Sequence, residues 1–219
     1  MKKLLLIIVS VLHVTSASAE LGVNIGASAS VGLFAATGNE IVGASTHTVG
    51  TNRKNNGEAF GSAGWGSVFI EKTLGNVLFV GADYVPGALS TDTTETANKS
   101  ERTGTASTQK IQIDFEDLTT FYVGAKIGEN FYAKAGTTHV DIVTNENLGT
   151  GSTYANTNMD GTMLGMGYNH TTDNGAFVRI EGTYMSFDGA FLDSTTNSNR
   201  VTLSNLDGVS GKLSVGKSF

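Results

Sequence analysis

Arg179 and Glu181 set a guanidinium and a carboxylate two residues apart, the spacing that puts both on one face of an extended strand. An arginine fork beside a carboxylate makes a bidentate ion pair, which is a chemistry of holding rather than of turnover. Six more charges, Glu71, Asp83, Glu116, Lys126, Lys134 and Lys212, stand where alternation turns them the same way in their own segments. Acids and bases balance, four against four. Turned into a narrow interior, they predict a paired network centred on Arg179, because a lone charge out of water is very costly. The same eight charges could instead line a narrow water-filled conduit.

His139-Val140-Asp141 also puts an imidazole and a carboxylate on one strand face. Acid–base catalysis from such a pair requires a positioned nucleophile, and no serine stands two residues from His139. His47, His139 and His170 fall far apart at no metal-ligand spacing, and the chain has no cysteine to join them. No metal site, disulfide or catalytic residue is therefore expected. Gly165-Met166-Gly167 matches part of a dinucleotide fingerprint, but no helical pattern follows it, so no cofactor is expected either.

These charges are carried by strands. The final stretch, Asp207 to Phe219, alternates Val209, Gly211, Leu213, Val215 and Phe219 with Ser210, Lys212, Ser214, Gly216 and Ser218, one apolar face and one polar. The first, from Leu21 to about Ala35, is equally regular, with Gly, Asn and Ser at every second place. Between them, alternation predicts strands over Ala59–Lys72, Val77–Val85, Ile111–Ile127, Phe131–Val143, Met159–His170 and Ala176–Ser186. Placing Glu71 inward turns Trp65 and Phe69 inward as well. In the fourth strand Ile111, Ile113, Phe115, Phe121, Val123 and Ala125 share the outward phase, with Asp117 breaking that face at a bulge or above the bilayer. In the fifth, Phe131, Ala133 and Ala135 oppose Val140 and Ile142, and a bulge near Thr137 would reconcile them. Outward Tyr84, Tyr168 and Tyr184 suit an interfacial girdle.

The links alternate in length. Thr73–Asn76, Gly128–Asn130 and Thr171–Gly175 are short, whereas four polar stretches elsewhere are long. Eight strands, long loops at one end and short turns at the other, predict an all-β, eight-stranded antiparallel up-and-down transmembrane β-barrel. The start agrees: Lys2 and Lys3, the apolar run Leu4–Val14 and Ala17-Ser18-Ala19 form a cleavable export leader over residues 1–19, leaving one barrel domain over 20–219. Losing Lys2 and Lys3 takes the formal charge from −6 to −8, which disfavours nucleic acid as a partner. The 28 glycines and a 39% hydrophobic share fit a hydrated interior better than a solid core.

The leader, the eight alternating strands, the loop rhythm and terminal Phe219 resemble the small bacterial outer-membrane β-barrel superfamily, including OmpX-like, OmpW-like and opacity-type proteins. The likeness spans the mature chain and is one of architecture. It implies residence in the outer membrane, lipid as the main partner, and an insertion signal for the barrel-assembly machinery in Leu213, Val215 and Phe219, with Lys217 departing from the pattern. The expected role is structural or surface-interacting, without catalysis, and the alternative is a narrow, porin-like passive channel for small solutes or ions. The loops are polar and poor in Trp, Tyr and Arg, which does not favour a tight protein-binding surface. They name no partner.

Overall fold

The computed structural model describes residues 22–42, 53–91, 93–99, 106–147, 153–195 and 198–219; the expected leader, Leu21 and His47 lie outside them. The chain forms β1 (Val23–Val42), β2 (Arg53–Leu74), β3 (Leu78–Tyr84), β4 (Leu89–Ser90), β5 (Thr94–Lys99), β6 (Ala106–Ile127), β7 (Phe131–Asn147), β8 (Thr157–Thr171), β9 (Ala176–Phe187), β10 (Ala190–Asp193) and β11 (Arg200–Ser218). Every pairing is antiparallel. The ring runs β1-β2-β3-β6-β7-β8-β9-β11 and closes where β11 meets β1. That makes eight staves, because β4 and β5 continue the β3 stave along β6, and β10 continues the β9 stave along β11. Phe219 helps close the ring: its N–H donates to the Val23 carbonyl at 2.8 Å and its carbonyl accepts from Val23 at 3.1 Å.

The staves run well past the expected strand ends at the loop side. β1 extends to Val42 and β2 starts at Arg53, and the stretches expected as the second and fourth loops hold β4, β5 and β10. The three short turns each carry a glycine at positive φ, Gly75 at 66°, Gly128 at 69° and Gly175 at 81°, where a Cβ would be strained.

Outward positions are apolar and exposed, among them Val31, Ile70, Val80, Phe121, Leu164, Ile180 and Leu213. Such a belt is stable only against lipid. Its loop-side edge is marked by two tyrosines that donate to carboxylates, Tyr84 to Asp117 at 2.5 Å and Tyr184 to Asp207 at 2.8 Å. Tyr168 and Phe131 meet edge to face at 5.3 Å near the turn side.

The interior is packed by a simple rule. Phe34, Phe69, Phe79, Tyr122, Tyr132, Phe177 and Phe187 each stand directly across the ladder from a glycine: Gly208, Gly26, Gly124, Gly81, Gly167, Gly216 and Gly161. The inward ring lies in the space where the glycine has no side chain. A Cβ on Gly81, for instance, would come within 2.7 Å of the Tyr122 ring.

Two phases differ from the sequence expectation. β6 carries a bulge: Glu116 faces Asp141 and Thr119 faces His139, so Asp117 and Leu118 together oppose Val140. Asp117 sits at φ 52°, a conformation an aspartate tolerates better than most residues. Past the bulge the faces exchange, and Ile113 and Phe115 pack on the luminal core instead of facing out. β7 has no bulge of its own. Val140 and Ile142 are buried in the lumen on the same phase as Lys134, because the loop-side half of the lumen is apolar.

A seam also opens in the wall. β2 pairs with β3 from Leu74↔Leu78 to Val68↔Tyr84. Beyond that, among the described residues, β4 and β5 pair with β6 while β2 pairs with β1 alone. Pro86, the chain's one proline, follows β3 at the fork, where its missing N–H costs no ladder bond.

Candidate functional site: a charged plug beneath an apolar cup

Six of the eight sequence-predicted charges meet in the lumen as three ion pairs. Arg179 grips Glu71 with both prongs, Nη1 to Oε1 at 2.6 Å and Nη2 to Oε2 at 2.9 Å. Lys134 Nζ stands 2.9 Å from Glu181 Oε1, and Lys212 donates to Asp83 at 2.8 Å. Arg179 and Glu181 share a face of β9 as expected, yet each takes its partner from another strand. Two residues are not in this set. Lys126 lines the turn-side mouth and is exposed. Glu116 is a correction: beyond the bulge it falls opposite Asp141, on the outward row.

Aromatic and amide groups complete the layer. Tyr122 donates to Glu71 at 3.0 Å and Tyr132 to Glu181 at 2.6 Å. Asn24 donates to Glu71, and Arg179 Nε donates to Asn169, both at 3.2 Å. The Arg179 guanidinium lies 5.0 to 5.3 Å from the ring centres of Phe69, Tyr132 and Phe177, and Lys134 sits 4.2 Å from that of Tyr122. Charges taken out of water at this depth persist because each is both paired and hydrogen-bonded or ring-stacked. Tyr122 and Tyr132 were legible in principle, since they share the luminal phase of Lys126 and Lys134.

This layer divides the lumen. On the turn side a polar chamber of about 150 Å³ is lined by Asn24, Lys126, Glu129, Asn169, Arg179 and Ser218, among others. Within the barrel a void of about 20 Å³ lies among Trp65, Asp83, Lys134, Thr183, Ser210 and Lys212, room for about one water. Toward the loops the wall turns apolar. Trp65, Val85, Leu118, Met163, Met185 and Phe187 form a buried floor, with Phe34 packed on Trp65 at 5.9 Å. Above it opens a cup of about 400 Å³ walled by Ile113, Phe115, Ile142, Leu192, Val201 and Leu203, with the β1–β2 hairpin on its other side.

The histidine pair is elsewhere. His139 is outward and about half exposed, with Nδ1 2.7 Å from Asp160 Oδ1 and Nε2 3.5 Å from Asp141 Oδ1. Both ring nitrogens face carboxylates, so neither addresses a nucleophile. Among the described residues no group of three or more His, Asp or Glu is arranged to hold a metal ion. Leu213 and Val215 face outward, and Lys217 lies 5.7 Å from the Phe219 ring centre at the closing seam.

No family model matches the chain, and no curated protein matches it. Solved structures do. The outer membrane protein OprG from Pseudomonas aeruginosa superposes with a TM-score of 0.52 at 11% identity, over 89% of this chain and 96% of that one. AlkL, solved in lipid bilayers, gives 0.45 at 13% identity over 94% and 93%, and the outer membrane protease OmpT from Escherichia coli gives 0.43 at 13% over 90% and 97%. The fold is that of the small outer-membrane β-barrels, and the apolar belt suits a lipid surround.

Proposed function

We propose that this barrel is a non-enzymatic receptor for small apolar molecules, which enter the outer half of the lumen and leave sideways into the lipid. The carrying observation is the change of character along the barrel axis: an apolar cup of about 400 Å³ standing on a charged layer with a 20 Å³ void. A cup of that size and lining suits a small organic ligand. Met159, Met163 and Met185 belong to the buried cluster on which the cup residues Ile113, Phe115 and Leu203 pack, and methionine is an adaptable support.

The plug argues against a passive water route, since any solute crossing it would have to part three ion pairs. The seam offers another exit. It begins at Val68 and Tyr84, at the loop-side edge of the lipid belt, beyond which β2 pairs, among the described residues, with β1 alone. The non-enzymatic reading is supported by the outward His139, both of whose ring nitrogens face carboxylates.

The test uses the barrel refolded into neutral-lipid nanodiscs, with Trp65, the chain's one tryptophan, as reporter. Benzene should change its emission saturably, and Ala36→Phe, which fills the cup, should abolish the change. Planar bilayers holding the same protein should stay electrically silent. A non-saturable response, or steady conductance, would overturn the reading.

A further inference from the structure

We infer that the cup selects molecules with an apolar body and a cationic head, and that Glu40 is the residue that selects the head. This rests on the cup reading above and adds the class of ligand.

The two sides of the cup differ in kind. Aliphatic and aromatic side chains of β6, β7, β10 and β11 make one wall; the β1–β2 hairpin supplies the other, and Glu40 lies on it near the rim. The ionisable side chains among the described lining residues are Glu40 and Glu58, both acids, and no lysine or arginine is among them. Of the bases at the same end of the barrel, Arg200 holds Asp193 through two hydrogen bonds and Lys110 holds Glu95 at 2.5 Å, while Lys54, opposite Ile41, is exposed on the alternate row from Asn55, the residue that faces Glu40. Asn55 stands at a long 3.5 Å from Glu40 Oε2, so the carboxylate keeps accepting capacity toward the cup.

A ligand that buries its body against Ile142 and Leu192 brings its end to this rim. An ammonium there meets a carboxylate in a cup whose described lining holds no base, and the apolar wall weakens water's screening of the pair. A carboxylate-headed ligand meets like charge. A neutral hydroxyl gains a hydrogen bond but no charge attraction. The order of affinity is therefore ammonium, then alcohol, then carboxylate.

Benzylamine, benzyl alcohol and benzoate share one body and differ at the head. Each is titrated at neutral pH into the full barrel in neutral-lipid nanodiscs, followed by Trp65 emission and by calorimetry. The amine should bind about tenfold more tightly than the alcohol, the order of a hydrogen bond to a charged group, and benzoate should bind most weakly. Glu40→Gln, checked for insertion by its gel mobility with and without heating, should bring amine and alcohol within about twofold of each other. Added salt should weaken the amine and spare the alcohol, a readout that needs no variant. Equal affinities in the native chain, or a preference that survives Glu40→Gln, would overturn this inference and leave the cup reading standing. Binding of none of the three would remove both.

Discussion

Arg179 and Glu71, 108 residues apart in sequence, meet across the lumen through two parallel hydrogen bonds of 2.6 and 2.9 Å. Their strands are not neighbours in the sheet: β1 and β11 stand between β2 and β9. Arg179→Met leaves Glu71 buried without its cation and should cost about 3–5 kcal/mol, whereas Arg179→Met with Glu71→Gln should recover part of that loss. Urea unfolding in lipid vesicles gives both numbers. Equal losses in the single and double variants would mean that the pair carries no coupling.

The same residue stands at the centre of the layer that separates the polar chamber from the cup. Arg179→Ala should produce small, reproducible conductance steps in a planar bilayer where the native protein gives none, because it empties the centre of the layer between the polar chamber and the cup. Continued silence from a folded, inserted variant would show that the neighbouring rings seal the lumen alone.

Glycine opposite seven of the luminal rings sets a size rule. Gly124→Val drives a branched side chain into the Phe79 ring and should destabilise by about 1–3 kcal/mol. Phe79→Ala in the same chain should return part of it. Strict additivity of the two changes in vesicle unfolding would refute the pairing.

Much of this architecture was legible in the chain itself. Strict alternation in Leu21–Ala35 and Asp207–Phe219 named the closing strands, and the short turns at Gly75, Gly128 and Gly175 fixed the rhythm of the staves. Six of the charges were found because burying charge demands partners, and one strand period suffices to choose their face. Glu116 went astray for a local reason: Asp117 adopts φ 52° and exchanges the faces beyond it. Val140 and Ile142 misled because an apolar residue in a membrane barrel was expected to face lipid, and their burial follows from a cup that no local pattern announces. Which charge pairs with which was equally hidden, since partners such as Lys212 and Asp83 lie 129 residues apart.

Leu213 tests the lipid face. It points outward on β11, about half exposed, and Leu213→Arg should cost about 2–4 kcal/mol if it lies at mid-bilayer. Unchanged unfolding in vesicles would put Leu213 away from the hydrocarbon.

Asp193 and Arg200 report on the loop-side hairpin of β10 and β11. Arg200 donates to both carboxylate oxygens, and this hydrogen bonding holds Asp193 below the ordinary carboxylate range. The folded pKa is the lower one, so the contribution is complete above the unfolded value and is lost as pH falls through the folded one. Amide protection in β10 should be constant near neutrality and drop only below the usual aspartate range of about 3.9. Asp193→Asn should remove that acid step. A step that persists in the variant would assign it to another carboxylate.

Two of the three ion pairs of the plug join staves that never touch in the sheet, β2 with β9 and β3 with β11. In an open, growing sheet those partners are held apart by the width of the sheet and remain hydrated. They come within reach when β11 zips onto β1, so desolvation and pairing arrive in a single step. The plug is then a record of completion. A chain stalled before closure keeps water in its groove, and the rungs between β11 and β1, from Val23 and Phe219 onward, turn that trough into a closed wall.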